Sequence, residues 1–186
     1  MLDEIIQKTP ITKDDWIRGS ADAPVTMLEY GDFECPYCGM AFPVLHRLVD
    51  EDPETIRLVY RHFPITNIHP RALPTAEAAE AAGAQGKFWE MHDLLFTHQD
   101  RLEDEDLLAY ADAIGLDIDR FAREMSAGRY RKEVKGNFRK GIQDGVNGTP
   151  TIFINRLRYD GPRDYESMRA AIAAILRTER AQRRAA

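Results

Sequence analysis

The sequence predicts an α/β domain, with a mixed central sheet, helices on its faces and an all-helical block inserted in the middle. Three observations lead there. Two runs rich in strand formers, VTMLEY at 25–30 and IRLVYRHF at 56–63, flank a segment whose apolar residues have helical spacing. Beyond Pro64 the pattern stays helical to about residue 144. Strand signals then return in TIFIN at 151–155 and in RLRYDG just after it.

Taken in order, residues 1–23 are polar and broken by Pro10 and Gly19, with Pro24 following, and read as an N-terminal arm that packs on the domain. The first strand stops at Gly31. Met40, Val44, Leu45 and Leu48 mark a helix with Pro43 inside it, where the ring removes a hydrogen bond and should bend the axis. Pro64 stops the second strand. The helical block at 65–144 contains TAEAAEAAGAQG, FWEMHDLLF, DEDLLAYADAIG, DIDRFAREM and RYRKEVKGNFRKGIQDG. In DIDRFAREM one apolar face is formed by Ile118, Phe121, Ala122 and Met125. After the two C-terminal strands, Met168, Ala171, Ile172 and Ile175 mark a last helix, expected to fray past Arg177. The sheet domain is thus expected at 24–64 plus 145–186.

Composition narrows the function. The net charge of −6 argues against a general nucleic-acid binder, and the basic run from Arg177 to Arg184 reads as a solvated helix face. No apolar run is long enough to span a bilayer, and the first residues lack a basic start, an apolar run and a cleavage site. A cytoplasmic location is therefore expected, or a periplasmic or other extracytoplasmic one if a signal peptide has been removed. No membrane partner is expected.

Both cysteines of the 186 residues lie in one string, Cys35-Pro36-Tyr37-Cys38. Cys35 follows a strand and a short turn and opens a helix, with Pro36 at the first helical position, where its missing N–H costs nothing. Free backbone N–H groups and the positive helix end then point at the Cys35 sulfur and favour the thiolate. The helix end alone is worth roughly 0.3–2 kcal/mol, up to about one and a half pH units of pKa. Cys38, one turn later, can donate its S–H to that thiolate. The expected pair is an exposed nucleophile and a buried resolving thiol. A zinc site would have to recruit ligands from His46, His62, His69, His92 and His98, which are scattered. A structural disulfide across two residues would stabilise little.

The strings APVTMLEYGDFECPYC, VYRHFP, GKFWEMHDLLF and VNGTPTIFIN together resemble the DsbA-like branch of the thioredoxin superfamily, over about Gly19 to Ile175. The resemblance implies a thioredoxin fold interrupted by a helical domain, and a cis Pro150 facing the cysteines. Thr149 would hydrogen-bond an extended substrate beside Cys35. Pro36, Tyr37, Thr149 and Pro150 would contact substrate, and Glu29 would be a buried acid taking the Cys38 proton through water. The implied activity is thiol–disulfide exchange with polypeptide or small-molecule thiols and disulfides, served by a separate redox partner and needing no cofactor or metal.

Some positions depart from that pattern. Tyr37 stands where the best-known periplasmic member has histidine, and Asp32 and Glu34 lie just upstream, where their charge should oppose ionisation. The Cys35 pKa is therefore expected at about 5–7. Arg156 follows Asn155 where relatives often have glycine, so the hairpin turn should differ. Three other classes fit less of the sequence. Glutaredoxins share Cys-Pro-Tyr-Cys but are about half this length, kappa-class glutathione transferases have no CxxC and use a serine at the nucleophile position, and a peptide-binding or chaperone-like module would need no reactive thiol.

Overall fold

The computed structural model describes residues 5–185, with side chains described to residue 178. The side chains of most of the basic run from Arg177 to Arg184 lie outside that range. A five-stranded mixed sheet forms the centre, in the order β1-β3-β2-β4-β5. The inner strands β2 (Val25–Gly31) and β3 (Ile56–His62) are parallel and in register from Val25 opposite Ile56 to Gly31 opposite His62. Both are buried along nearly their whole length because both faces of the sheet are covered.

On one face lie α1 (Pro36–Glu51) and α7 (Tyr165–Ala185). Leu45, Leu48, Met168 and Ile172 from these helices close over Met27, Leu58, Ile152 and Ile154. Helix α1 runs continuously through Pro43, and the backbone of α7 stays helical to Ala185, past the fraying expected at Arg177. On the other face α6 (Arg131–Gln143) stacks Phe138 on Phe63, with ring centroids 4.3 Å apart. Gly141 is required there, since a Cβ would come within 2.5 Å of the Phe63 ring.

Helices α2 (Ala72–Gly83), α3 (Phe88–Thr97), α4 (Asp104–Ala113) and α5 (Ile118–Ser126) follow β3 in the chain and share one core with Phe33, Tyr60 and the two cysteines. The alanines of α2 are buried nearly all round, and their small side chains let α3, α5 and α6 approach closely. Helix α4 starts with a reciprocal cap between Glu103 and Asp106, and α5 with Asp117 accepting from the Arg120 N–H. Strands β4 (Thr151–Ile154) and β5 (Leu157–Tyr159) form the expected hairpin. Its turn residues Asn155 and Arg156 have φ of 45° and 75°, the left-handed pair of a type I′ turn made without glycine.

The arm does more than pack. Residues Trp16–Arg18 form β1, antiparallel to β3 at the sheet edge, a strand the sequence did not signal. Trp16 stacks on Phe88 at 4.4 Å and lies over Gly83. Further back, fully buried Arg61 binds Asp15 through two hydrogen bonds of 2.7 and 2.9 Å, and also reaches Thr9, Tyr30 and the Pro10 carbonyl. Asp144 accepts from the Thr9 and Tyr30 hydroxyls. Ile6 bridges Leu157 on β5.

Candidate active site

Cys35 is the N-cap of α1, and Pro36 occupies its first turn. The loop that delivers it is held by Asp32, whose backbone carbonyl accepts the Cys35 N–H at 3.1 Å. The Asp32 carboxylate accepts from the N–H groups of Glu34 and Ile65 and from His69 Nδ1. The Glu34 carboxylate accepts from the Arg71 N–H. The two acids expected to oppose ionisation of Cys35 are thus engaged in anchoring the 65–71 loop.

Cys35 is not exposed: it keeps 3% of its surface, and Cys38 keeps none. Burial of Cys35 corrects the expected exposed nucleophile, and part of its cover comes from the helical block. Gln99, after α3, donates to the carbonyls of Phe33 and Cys35 at 2.8 and 2.9 Å and lies over Gly39. Nothing in the sequence around Gln99 signals this role, which depends on where α3 ends. Pro36, Tyr37 and Met40 remain exposed around the pair.

Both cysteines are free thiols. The Cys35 pKa is lowered from 9.0 to about 5, chiefly by the Cys38 S–H donating to its sulfur. Burial opposes this, while the Thr149 side chain and the Cys38 and Tyr37 N–H groups assist. The same interaction and deep burial push the Cys38 pKa well up. As a thiol, Cys35 donates to the Thr149 carbonyl at 3.4 Å. The Thr149 hydroxyl is buried and has no hydrogen-bond partner of good geometry, so its help is that of a nearby donor free to turn toward the sulfur. The Thr149–Pro150 bond is cis, and Pro150 is buried. Exposed Arg163 donates to the Pro150 carbonyl at 3.2 Å.

Glu29, in the middle of β2, is 2% exposed, and its Oε1 has no hydrogen-bond partner. Burial, and secondly the negative charge of Cys35, raise its pKa from 4.5 to about 8, while Arg163 pulls the other way. A carboxyl this easily protonated can exchange a proton near neutrality.

One trio of metal-ligating type occurs among the described residues: His46, His92 and Asp93, with ligand atoms within 4.8 Å of one another. It includes neither cysteine. The other oxygen of Asp93 already accepts from Arg18 at 3.2 Å. The two imidazoles stack at 5.2 Å, and burial lowers both pKa values, that of His46 to about 4.

The family model described as thioredoxin (Thioredoxin_4) matches residues 11–174. The structure is similar to that of oxidised BdbD from Bacillus subtilis, with a TM-score of 0.82 and 20% identity, over 94% of this chain and 100% of that one. It also resembles a thioredoxin-like oxidoreductase from Silicibacter pomeroyi DSS-3, with a TM-score of 0.78 and 28% identity, over 90% and 94% of the two chains. In sequence the chain is 45% identical over 172 residues to Na(+)/H(+) antiporter NhaA 3 of Salinispora tropica. That match covers 92% of this chain and 26% of the relative, so the chain spans about a quarter of that protein's length. Among the described residues no helix is long and apolar enough to cross a membrane. With its mixed five-stranded sheet and the helices set between β3 and β4, the chain belongs to the thioredoxin family and has the fold of that family's DsbA-like members.

Proposed function

We propose that the chain is a thiol–disulfide oxidoreductase acting on protein disulfides and dithiols, with Cys35 as nucleophile and Cys38 as resolving thiol. The observation that carries this is the placement of two free thiols one turn apart at the start of one helix, beside the Thr149–Pro150 cis bond, an arrangement that lowers the Cys35 pKa and pushes that of Cys38 up. At neutral pH the first sulfur attacks as thiolate while the second keeps its proton until a mixed disulfide has formed. Forming that bond removes the Cys35 charge, one of the two influences that hold the Glu29 carboxyl protonated. Glu29 then ionises more readily and accepts the Cys38 proton at the moment Cys38 must react. Substrate would lie against Pro36, Tyr37, Met40 and the Thr149–Pro150 loop, where exposed apolar surface adjoins the sulfur.

A thiolate that forms below neutrality stabilises the reduced pair and moves the couple toward the oxidising side. A separate redox partner would reset the pair after each turnover. The test is Cys35→Ser, assayed for insulin reduction and for oxidation of a dithiol peptide. Loss of both is expected, and retention of both overturns the assignment.

A further inference from the structure

Arg163 stands on the rim of the cysteine site, and the turn between β5 and α7 sets its position. The Tyr159 hydroxyl donates to the Pro162 carbonyl at 2.7 Å, and its ring lies against Gly161, where a Cβ would come within 2.7 Å. Pro162 stiffens the chain just before Arg163. Just after it, Asp164 accepts from the N–H and the hydroxyl of Ser167 and so fixes the start of α7. The turn therefore holds the guanidinium against the Pro150 carbonyl, at 3.2 Å. The preceding carbonyl, that of Thr149, accepts the Cys35 S–H at 3.4 Å. The cation is thus two contacts and one peptide unit away from the reacting sulfur.

Its charge has no acidic partner. Among the described residues Arg163 makes no ion pair, and the acids of its own turn are engaged elsewhere, Asp160 by Arg158 and Asp164 by Ser167. Arg71, whose N–H holds Glu34, has its guanidinium paired with Glu103 and Asp104. The exposed residues around the cysteines, Pro36, Tyr37 and Met40, are uncharged. One N–H of the Arg163 fork serves the Pro150 carbonyl, and the remaining donors suit a carboxylate. A guanidinium already held in place loses little freedom when it binds one.

We propose that Arg163 determines substrate specificity, selecting disulfides that carry a carboxylate within one or two residues of the reacting sulfur. The proposal rests on the exchange reaction proposed above and names its substrate class, an acidic segment of polypeptide. A substrate strand along the Thr149–Pro150 loop advances about 3.3–3.6 Å per residue, so a Glu or Asp beside its cysteine reaches the guanidinium. Oxidised glutathione presents the same chemistry on a small molecule, with carboxylates a few bonds from sulfur.

The test measures kcat/KM for reduction of disulfide peptides that differ only in Glu, Gln or Lys beside the cysteine, and for oxidised glutathione against its methyl ester. The wild-type protein should favour the Glu peptide over the Lys peptide by about three- to tenfold at low ionic strength, as an exposed ion pair replaces a like-charge contact. The ratio should fall toward one at about 0.5 M salt. Arg163→Gln should bring it below about twofold, and Arg163→Glu should invert it. Both peptides meet the same sulfur, so any change in thiol reactivity or in the Pro150 loop cancels in the ratio, and glutamine keeps an amide donor for that loop. A preference for glutathione over its ester with none among the peptides would overturn the polypeptide assignment. Equal rates within each set, or a ratio that survives Arg163→Gln, would overturn the role of Arg163 while leaving exchange intact. No reaction of the wild-type protein with any of these disulfides would remove the exchange reading as well.

Discussion

Glu29→Gln should stabilise the protein, and only in a defined pH window. The folded-state pKa of Glu29 is raised from 4.5 to about 8. A raised carboxyl contributes stability that is complete below pH 4.5 and is lost as pH rises through 8, because folding then requires either burying the charge or holding a proton. Glutamine resembles the protonated acid and has nothing to lose. The advantage of the variant is therefore near zero at pH 4.5, grows by about 1.4 kcal/mol per pH unit, and levels off near 5 kcal/mol above pH 8. Local relaxation and water entry should cut this by about half, leaving roughly 1.5–3.5 kcal/mol at pH 7. Urea unfolding of the reduced proteins at pH 4.5, 6, 7 and 8 measures the difference. The gain should shrink when the cysteines are oxidised, because the Cys35 charge that helps raise the pKa is then gone. A difference that is the same at every pH, or a loss of stability throughout, would refute the reasoning.

Removing the donor in Cys38→Ala should raise the Cys35 pKa by about one to two pH units, since a hydrogen bond to a charged group is worth about 1.5–3 kcal/mol. The pH profile of iodoacetamide alkylation reads this directly, with Cys38→Ser in between, and an unmoved midpoint contradicts it. Arg61→Met strands the Asp15 and Asp144 carboxylates in the interior and should cost about 3–5 kcal/mol, accompanied by faster proteolysis of the N-terminal arm. Gly83→Ala places a methyl 2.4 Å from the Trp16 ring and should cost about 1–3 kcal/mol, with a change in tryptophan fluorescence. Unchanged emission and stability would mean that Trp16 does not lie where it is described.

Local pattern made much of this molecule legible. VTMLEY and IRLVYRHF could be read as strands because they are rich in β-branched and aromatic residues and end at Gly31 and Pro64. The placement of Cys35 at a helix start followed from the turn before it and the proline after it. Strand β1 was not legible, since Trp16–Arg18 are extended only through pairing with β3 and the seat of Trp16 on Phe88 and Gly83, contacts far away in sequence. Charge was legible only by sign. Asp32 and Glu34 are close to Cys35 along the chain, yet the loop from 65 to 71 sets where their carboxylates point. Tyr60, Gln99 and Arg163 carry no mark of their own: strand order brings the first beside Glu29, and the ends of distant elements bring the others to the cysteine and proline loops. The burial of Cys35 belongs to the same class.

The arm engages the sheet at both limits, through Ile6 against β5 and through β1 against β3, with Arg61 gripping the stretch between. An exposed strand edge is a template for edge-to-edge pairing with another copy. Truncation after Arg18 would uncover both edges at once and leave Arg61 without Asp15, so a shortened domain should aggregate during refolding even with its cysteine pair intact. Any expression boundary for this domain has to keep residues 5–18.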